Sequence, residues 1–350
     1  MRKACLLLLC LLVDLLVFGQ ESNIPGSDHT PTTAINGLLY KLNEATLTAM
    51  VANGNSWEGE LSIPEQVTYD NKTYTVDRIE WLAFDNCKTL TKVRIPKTVV
   101  QIKHYTEYED CKNPFYGCTA LECIEVDDKN QSMCSVGGVL FSKDKTRLYC
   151  YPTGASSKVY NVPDGVTWIG GDAFADNPHL AAVTMPNSVT YLSFGIFFGC
   201  KSLQSVKLSD NVNYISAGTF ENCESLHFLD IPENVSSFGE SVFRCSPIKT
   251  LVIRGSFPDG FRYDTFYSMD DEVVIYVQQS EMGKLKSELE KVRGFSGRVL
   301  PLESYTTVSV VQPSGMTADS SMFYDLQGRR LTTALRKGVY IRDGRKVVVK

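Results

Sequence analysis

Histidine is scarce in this chain: His29, His104, His179 and His227 are far apart, and none opens an H-E-x-x-H zinc motif. The eleven cysteines form no C-x-x-C pair, so neither a zinc ribbon nor a thioredoxin-like redox centre is indicated. There is no G-x-G-x-x-G, no Walker phosphate loop and no G-x-S-x-G elbow, and nothing points to a Ser-His-Asp constellation. Basic charge is not in excess. With 35 Lys and Arg against 40 Asp and Glu the net charge is −5, which implies no dominant face for a polyanion such as nucleic acid. The expectation is a protein without catalytic residues, cofactor or bound metal. Two acidic clusters, Glu107-Tyr108-Glu109-Asp110 and Asp270-Asp271-Glu272, read as solvated loops, with a weak calcium site as the sharper alternative.

Long apolar runs are also missing, with one exception. Arg2 and Lys3 precede an apolar stretch from Leu6 to Phe18, and Val17-Phe18-Gly19 suits cleavage before Gln20, so residues 1–19 read as a signal peptide. The run is shorter than the roughly 20 residues of a membrane span. Export follows as the expectation, to the cell surface, the outer membrane or the exterior. Loss of Arg2, Lys3 and Asp14 leaves the mature chain at −6.

What the sequence has in abundance is repetition. The pairs Val162-Pro163, Met185-Pro186, Leu208-Ser209 and Ile231-Pro232 recur every 23 residues, and Phe174, Phe197, Phe220 and Phe243 keep the same interval. A fixed period of this length marks a solenoid, in which each coil buries its apolar face only against its neighbours. Cys87, Cys118, Cys200 and Cys223 occupy the position three residues after the repeat Phe, with Asn177 in the equivalent place and Cys245 near it. A small buried side chain that hydrogen-bonds the turn fits that slot. Cys111, Cys123, Cys134 and Cys150 fall off this register, and a bridge among them stays open.

The first coils are lengthened. The interval from Ile63-Pro64 to Ile95-Pro96 holds a hairpin in which Val67-Thr68-Tyr69 turns at Asp70-Asn71 into Tyr74-Thr75-Val76. The next coil carries an insert from Lys103 to Asn113. Residues 128–161 break the period and contain a second hairpin, Gly138 to Phe141 against Arg147 to Tyr151. An opening hairpin, Leu38 to Leu42 and Leu47 to Val51, covers the first coil. Val273 to Val277 reads as a last strand, followed by a helix with Met282, Leu285, Leu289 and Val292 on one face and Ser280 as N-cap.

These units, Ala173-Phe174 through Met185-Pro186 and Thr219-Phe220-Glu221-Asn222-Cys223-Glu224-Ser225-Leu226 through Ile231-Pro232, resemble the BspA-type leucine-rich repeats of bacterial surface proteins. So does the interruption Gly138-Val139-Leu140-Phe141 ending at Tyr151-Pro152. The resemblance implies a β-rich, α/β-type leucine-rich-repeat solenoid of irregular 23-residue coils with hairpin insertions and a C-terminal capping helix. It also implies adhesion or recognition at a cell surface without catalysis. Tyr324-Asp325-Leu326-Gln327-Gly328-Arg329-Arg330 with Lys337-Gly338-Val339-Tyr340-Ile341 resembles the type IX-like C-terminal sorting domains of Bacteroidetes-type bacteria, which implies contact with export machinery. The expected organisation is a signal peptide at 1–19, a linker at 20–34, the solenoid with its end caps at 35–303, a linker at 304–322 and a small separate β tail at 323–350. That tail has a net charge of +6, leaving the rest of the mature chain at −12.

Three surfaces are candidates for a partner. Just before an inward apolar position, successive coils carry Trp168, Tyr191, Tyr214 and then Ser237, an aromatic ladder at strand spacing. It reads as a hydrophobic anchor for a protein or a stacking platform for a polysaccharide, beside the plainer role of cross-strand packing. The other strand face offers Lys207, His227 and Phe228. The insert offers His104, Tyr105 and Tyr108 on a long loop over a rigid scaffold. A protein ligand of a host or neighbouring cell is the leading expectation; a polysaccharide or an envelope-structural role are the alternatives.

Overall fold

The computed structural model describes residues 31–103, 113–256, 273–290, 297–305, 309–311, 323–324, 338–342 and 345–349. The chain winds into a mostly β solenoid. Each regular coil places one short strand on each of two faces. On one face Ala182–Thr184 pairs in parallel with Ser205–Lys207, joining Ala182 to Ser205 and Thr184 to Lys207, a step equal to the sequence repeat. Phe228–Ile231, Thr250–Ile253, Val274–Val277 and Arg298–Pro301 continue this face as a parallel sheet. The opposite face carries two-residue strands, Trp168–Ile169, Tyr191–Leu192, Tyr214–Ile215 and Ser237–Phe238.

Local chemistry explains why the coils repeat. At the proline corner Val166, Val189, Val212 and Val235 each donate a backbone N–H three residues back, to Pro163, Pro186, Ser209 and Pro232. Each of these valines is buried. At the opposite turn the repeat phenylalanines stack into a continuous internal column. Phe174 lies 5.3 Å from Phe197, Phe197 5.7 Å from Phe220 and Phe220 6.1 Å from Phe243, with nearly parallel rings. The small-residue slot is filled as its chemistry requires. Cys118 Sγ donates to the Phe84 carbonyl at 3.0 Å, Cys200 to Phe174 at 3.0 Å and Cys223 to Phe197 at 3.2 Å. Asn177 donates to Pro152 O and accepts from the N–H groups of His179 and Leu180. In the last regular coil the slot belongs to Ser246, which donates to Phe220 O, rather than to Cys245 beside it. Burial raises the Cys200 and Cys223 thiols above their ordinary range. Cys123, Cys134 and Cys150 are free thiols; Cys111 lies outside the described residues.

The first hairpin closes as expected: Gln66–Tyr69 pairs antiparallel with Lys72–Glu80, and Asp70 and Asn71 take positive φ in the two-residue turn. The second insertion is larger than expected. Met133–Val136 adds a strand to Val139–Ser142 through Gly137 and Gly138, and Val139–Ser142 pairs onward with Arg147–Cys150. Ser135 and the Gly-Gly turn hid the extra strand, because the segment has no run of β-branched residues. This three-stranded unit crosses the interior. Leu140 and Cys150 pack with the N-terminal core, while Val139, Phe141, Leu148 and Tyr151 pack with the C-terminal one. Alternation along Val139–Ser142, and a bulge in its pairing with Arg147–Cys150 that separates Leu148 from Cys150, make the insertion a wall with two apolar faces.

Several boundaries differ from expectation. A strand begins at Thr32, in the stretch expected as linker, and Thr32–Ile35 pairs antiparallel with Leu38–Asn43; Thr-Thr-Ala-Ile is a natural strand edge. Val274–Val277 is not the last strand, since Arg298–Pro301 pairs with it, a segment masked in the sequence by its leading Arg and closing Pro. Ser280 does not cap the helix but sits within a 3-10 turn, Gln279–Glu281, that leads into Met282–Leu289. Leu285 and Leu289 bury against the C-terminal core with Met282 partly buried beside them; Val292 lies outside the described residues. Ser309–Val311, also within an expected linker, pairs in parallel with Arg345–Val349 and completes a four-stranded sheet with Gly338–Arg342 and Phe323–Tyr324.

Candidate functional site

The strands that carry the aromatic row hold one residue inward and one outward. Ile169, Leu192, Ile215 and Phe238 are buried, which turns Trp168, Tyr191, Tyr214 and Ser237 to the outside. Trp168 is in register with Tyr191, and Tyr214 with Ser237. The Trp168 and Tyr191 rings are 6.3 Å apart and within 5° of parallel. On the other side of Trp168 its register partner is Arg147, whose guanidinium carbon lies 5.4 Å from the ring centroid, and Tyr149 meets the same ring edge-on at 6.1 Å. The indole also leans over Gly170, where an added Cβ would meet it at 3.1 Å.

This arrangement decides what the row can do. The rings stack along the solenoid axis, so Trp168 spends one face on Arg147 and the other on Tyr191. A sugar stacks on an open ring face, whereas Trp168, the largest ring of the row, has both of its faces covered. Tyr191 and Tyr214, 41% and 38% exposed, are the accessible members. Arg147 is the contributor that the repeat pattern missed, since it belongs to the insertion and shares no repeat position; only the strand register reveals it.

The second candidate face divides. Lys207 is exposed and borders a shallow groove of about 580 Å³ with Asn161, Asp164 and Asn187. His227 is exposed, and its Nδ1 lies 2.9 Å from Pro247 O, which places a proton on that nitrogen because a carbonyl only accepts. Phe228 is not an open anchor. Tyr305, beyond the last strand, stacks on it at 6.3 Å and contacts Tyr276 at 4.9 Å. Beside them Arg254 grips both oxygens of Asp230 at 2.7 and 2.6 Å. Burial pushes the Tyr305 hydroxyl up to about 12. His104, Tyr105 and Tyr108 lie outside the described residues, as do both acidic clusters. Among the described residues no group of three or more His, Cys, Asp or Glu converges as a metal site would require, and no helix is long and apolar enough to cross a membrane.

The family model described as BspA type leucine rich repeat region matches in six copies over residues 65–142 and 144–270, more than half of the chain. The chain belongs to this BspA-type leucine-rich repeat family. Solved structures are similar to the chain at low identity. The pneumococcal vaccine antigen PcpA is 17% identical, with 78% of this chain and 98% of that chain covered and a TM-score of 0.47. A leucine-rich cell surface protein from Faecalibacterium prausnitzii is 18% identical over 73% and 98% of the two chains, TM-score 0.43. A leucine-rich repeat protein from Bacteroides ovatus is 23% identical over 77% and 67%, TM-score 0.42. A search of curated proteins finds no match to this chain. The BspA-type repeats cover both the aromatic row and the sulfur slots.

Proposed function

We propose that this BspA-type chain is a non-catalytic recognition protein of the cell exterior that binds a protein partner through the row Trp168, Tyr191 and Tyr214. The observation that carries the reading is the geometry of the row. Trp168 is held between Arg147 and Tyr191, and Tyr191 and Tyr214 stand open to solvent on a scaffold of parallel coils. Tyrosines have few rotatable bonds, lose little entropy on docking and serve as anchors in protein interfaces. A polysaccharide partner fits less well, because the indole faces are taken. The family and the export-type N-terminus support an exterior location, and the basic tail supports a role in sorting during export.

The test is binding of the purified full chain to immobilised matrix proteins, serum proteins and polysaccharides, alongside Trp168→Ser/Tyr191→Ser/Tyr214→Ser. A protein ligand lost by tenfold or more in the variant is the expected outcome. Tyr191→Ser/Tyr214→Ser keeps Trp168 against Arg147 and Tyr149 and serves as the milder variant. A ligand competed by free glycans, or silence across the panel, overturns the reading; recovery of proteins of its own envelope only would make the role structural.

A further inference from the structure

Among the described residues the strands on the Lys207 face fall into three parallel sheets, and the first break differs from the second in that an insertion fills it. Gly59–Ser62, Leu90–Ile95 and Cys123–Val126 form one parallel sheet, and Val159–Asn161, Ala182–Thr184 and Ser205–Lys207 form the next. Between them the chain leaves the repeat to build the internal wall. The two edges facing this break differ. That of Cys123–Val126 is covered: Ile124 N–H donates to Gly138 O at 2.9 Å and Val126 N–H to Ser135 Oγ at 3.2 Å. That of Val159–Asn161 is not. Lys158 O accepts from Ala182 N–H, and Val162 N–H donates to Thr184 O, so the intervening alternation aims Tyr160 at its neighbour strand and turns Val159 and Asn161 the other way. Ser157 Oγ donates to Val159 O at 2.8 Å. Among the described residues the N–H groups of Val159 and Asn161 and the Asn161 carbonyl find no protein partner.

The Tyr160–Asn161 end of this edge borders a groove of about 590 Å³, within the range of ligand sites. Its floor is Tyr151 and Tyr160, packed edge to face at 4.7 Å. Its rim carries one of the exposed large apolar side chains, Val136 at 43%. Gly137 on the far rim has open space around it. The only charged side chain lining the groove is Glu122. An open strand edge beside an aromatic floor is the geometry by which an extended segment adds itself to a sheet, with main-chain bonds for affinity and a side-chain pocket for selection.

We propose that this break is a docking site for an extended segment of a protein partner, which supplies the missing strand along Val159–Asn161. Its apolar side chain faces Tyr151 and Tyr160, and a lysine or arginine pairs with Glu122. This deepens the recognition reading and rests on it, but the site is separate from the aromatic row.

The experiment is to pan a phage library of random ten-residue peptides on the purified full chain and to measure the enriched peptides by fluorescence anisotropy. Enriched sequences are expected to alternate apolar with other residues and to carry a Lys or Arg. Val159→Pro removes an edge donor that the solenoid itself does not use, and it should weaken binding about tenfold or more. Glu122→Lys, an exposed substitution safe for folding, should weaken it for the base-bearing peptides. The amides of Val159 and Asn161 should exchange rapidly in the free chain and slowly with peptide bound. Enriched peptides that bind Val159→Pro and Glu122→Lys as tightly as the parent, or that protect neither amide, overturn the proposal, as does a library that yields nothing. Occupation of the groove by a segment of this chain also overturns it, and appears as slow exchange at both amides without peptide. If panel binding through Trp168, Tyr191 and Tyr214 persists in any of these cases, only the groove falls; if that binding is also absent, the recognition reading falls with it.

Discussion

Cys223 shows how much of this fold is decided by single side chains. Its Sγ reaches back one coil to Phe197 O, and in the next coil Ser246 makes the same reach to Phe220 O. Cys223→Ser should therefore change stability by less than about 1 kcal/mol. Cys223→Ala, which loses both the bond and the packing, should cost about 1–2 kcal/mol in a denaturant titration. Asp176 makes a second case. Burial is the main reason its carboxyl titrates above the ordinary range, partly opposed by a hydrogen bond from Tyr116 and the charge of Lys201. A raised native value means that the native state binds the proton more tightly, so this group's contribution is full below the unfolded carboxyl value and lost as pH rises through the native one. Asp176→Asn, which tolerates the positive φ of this position, should remove that loss. Compared with the parent, the variant should gain stability steadily as pH is raised from about 4 towards neutrality. A parallel pair of stability curves would refute it.

At the scale of elements, the repeat was legible and its interruptions were less so. The 23-residue step fixed the phenylalanine column and the sulfur slot because every coil meets the same neighbour environment. Arg298–Pro301, Met133–Val136 and the ring of Tyr305 escaped because each occurs once, so no second copy marks it. The outward direction of Trp168 could be read from its place before Ile169, whereas the cover given by Arg147 depends on which strand the insertion lays beside it. Tyr305 clasps two strands of different coils from outside. Tyr305→Ala should cost about 1–3 kcal/mol, and amide exchange should quicken in Arg298–Pro301 while Ala182–Thr184 keeps its protection.

For the whole molecule the wall formed by Val139–Ser142 and Arg147–Cys150 matters most. It separates two apolar cores, each closed without the other. Cooperative units in repeat proteins follow such nearest-neighbour boundaries. The three tryptophans allow a test, since Trp57 packs against the N-terminal core and Trp81 lies in a coil before the wall, whereas Trp168 lies on the strand that follows it and pairs with the C-terminal coils. Phe220→Ala should lower the stability reported by Trp168, in a chain with Trp57→Phe and Trp81→Phe, by about 3–5 kcal/mol. In a Trp168→Phe chain the transition reported by the other two should hardly move. Equal shifts would mean that the wall joins the cores instead of dividing them.

The slot sulfurs have a further consequence if the chain works, as proposed, at the cell exterior. Cys200 and Cys223 are shut away with raised thiol values, so oxidants meet them only while a coil is open. A sulfinate formed at that moment is larger, charged and no longer a donor to the phenylalanine carbonyl, so the coil cannot reclose around it. An opening in which two equivalents of peroxide carry the thiol past the reversible sulfenic acid to the sulfinate is thereby recorded permanently. A population of these molecules ages by the number of times its coils have breathed rather than by the hours elapsed.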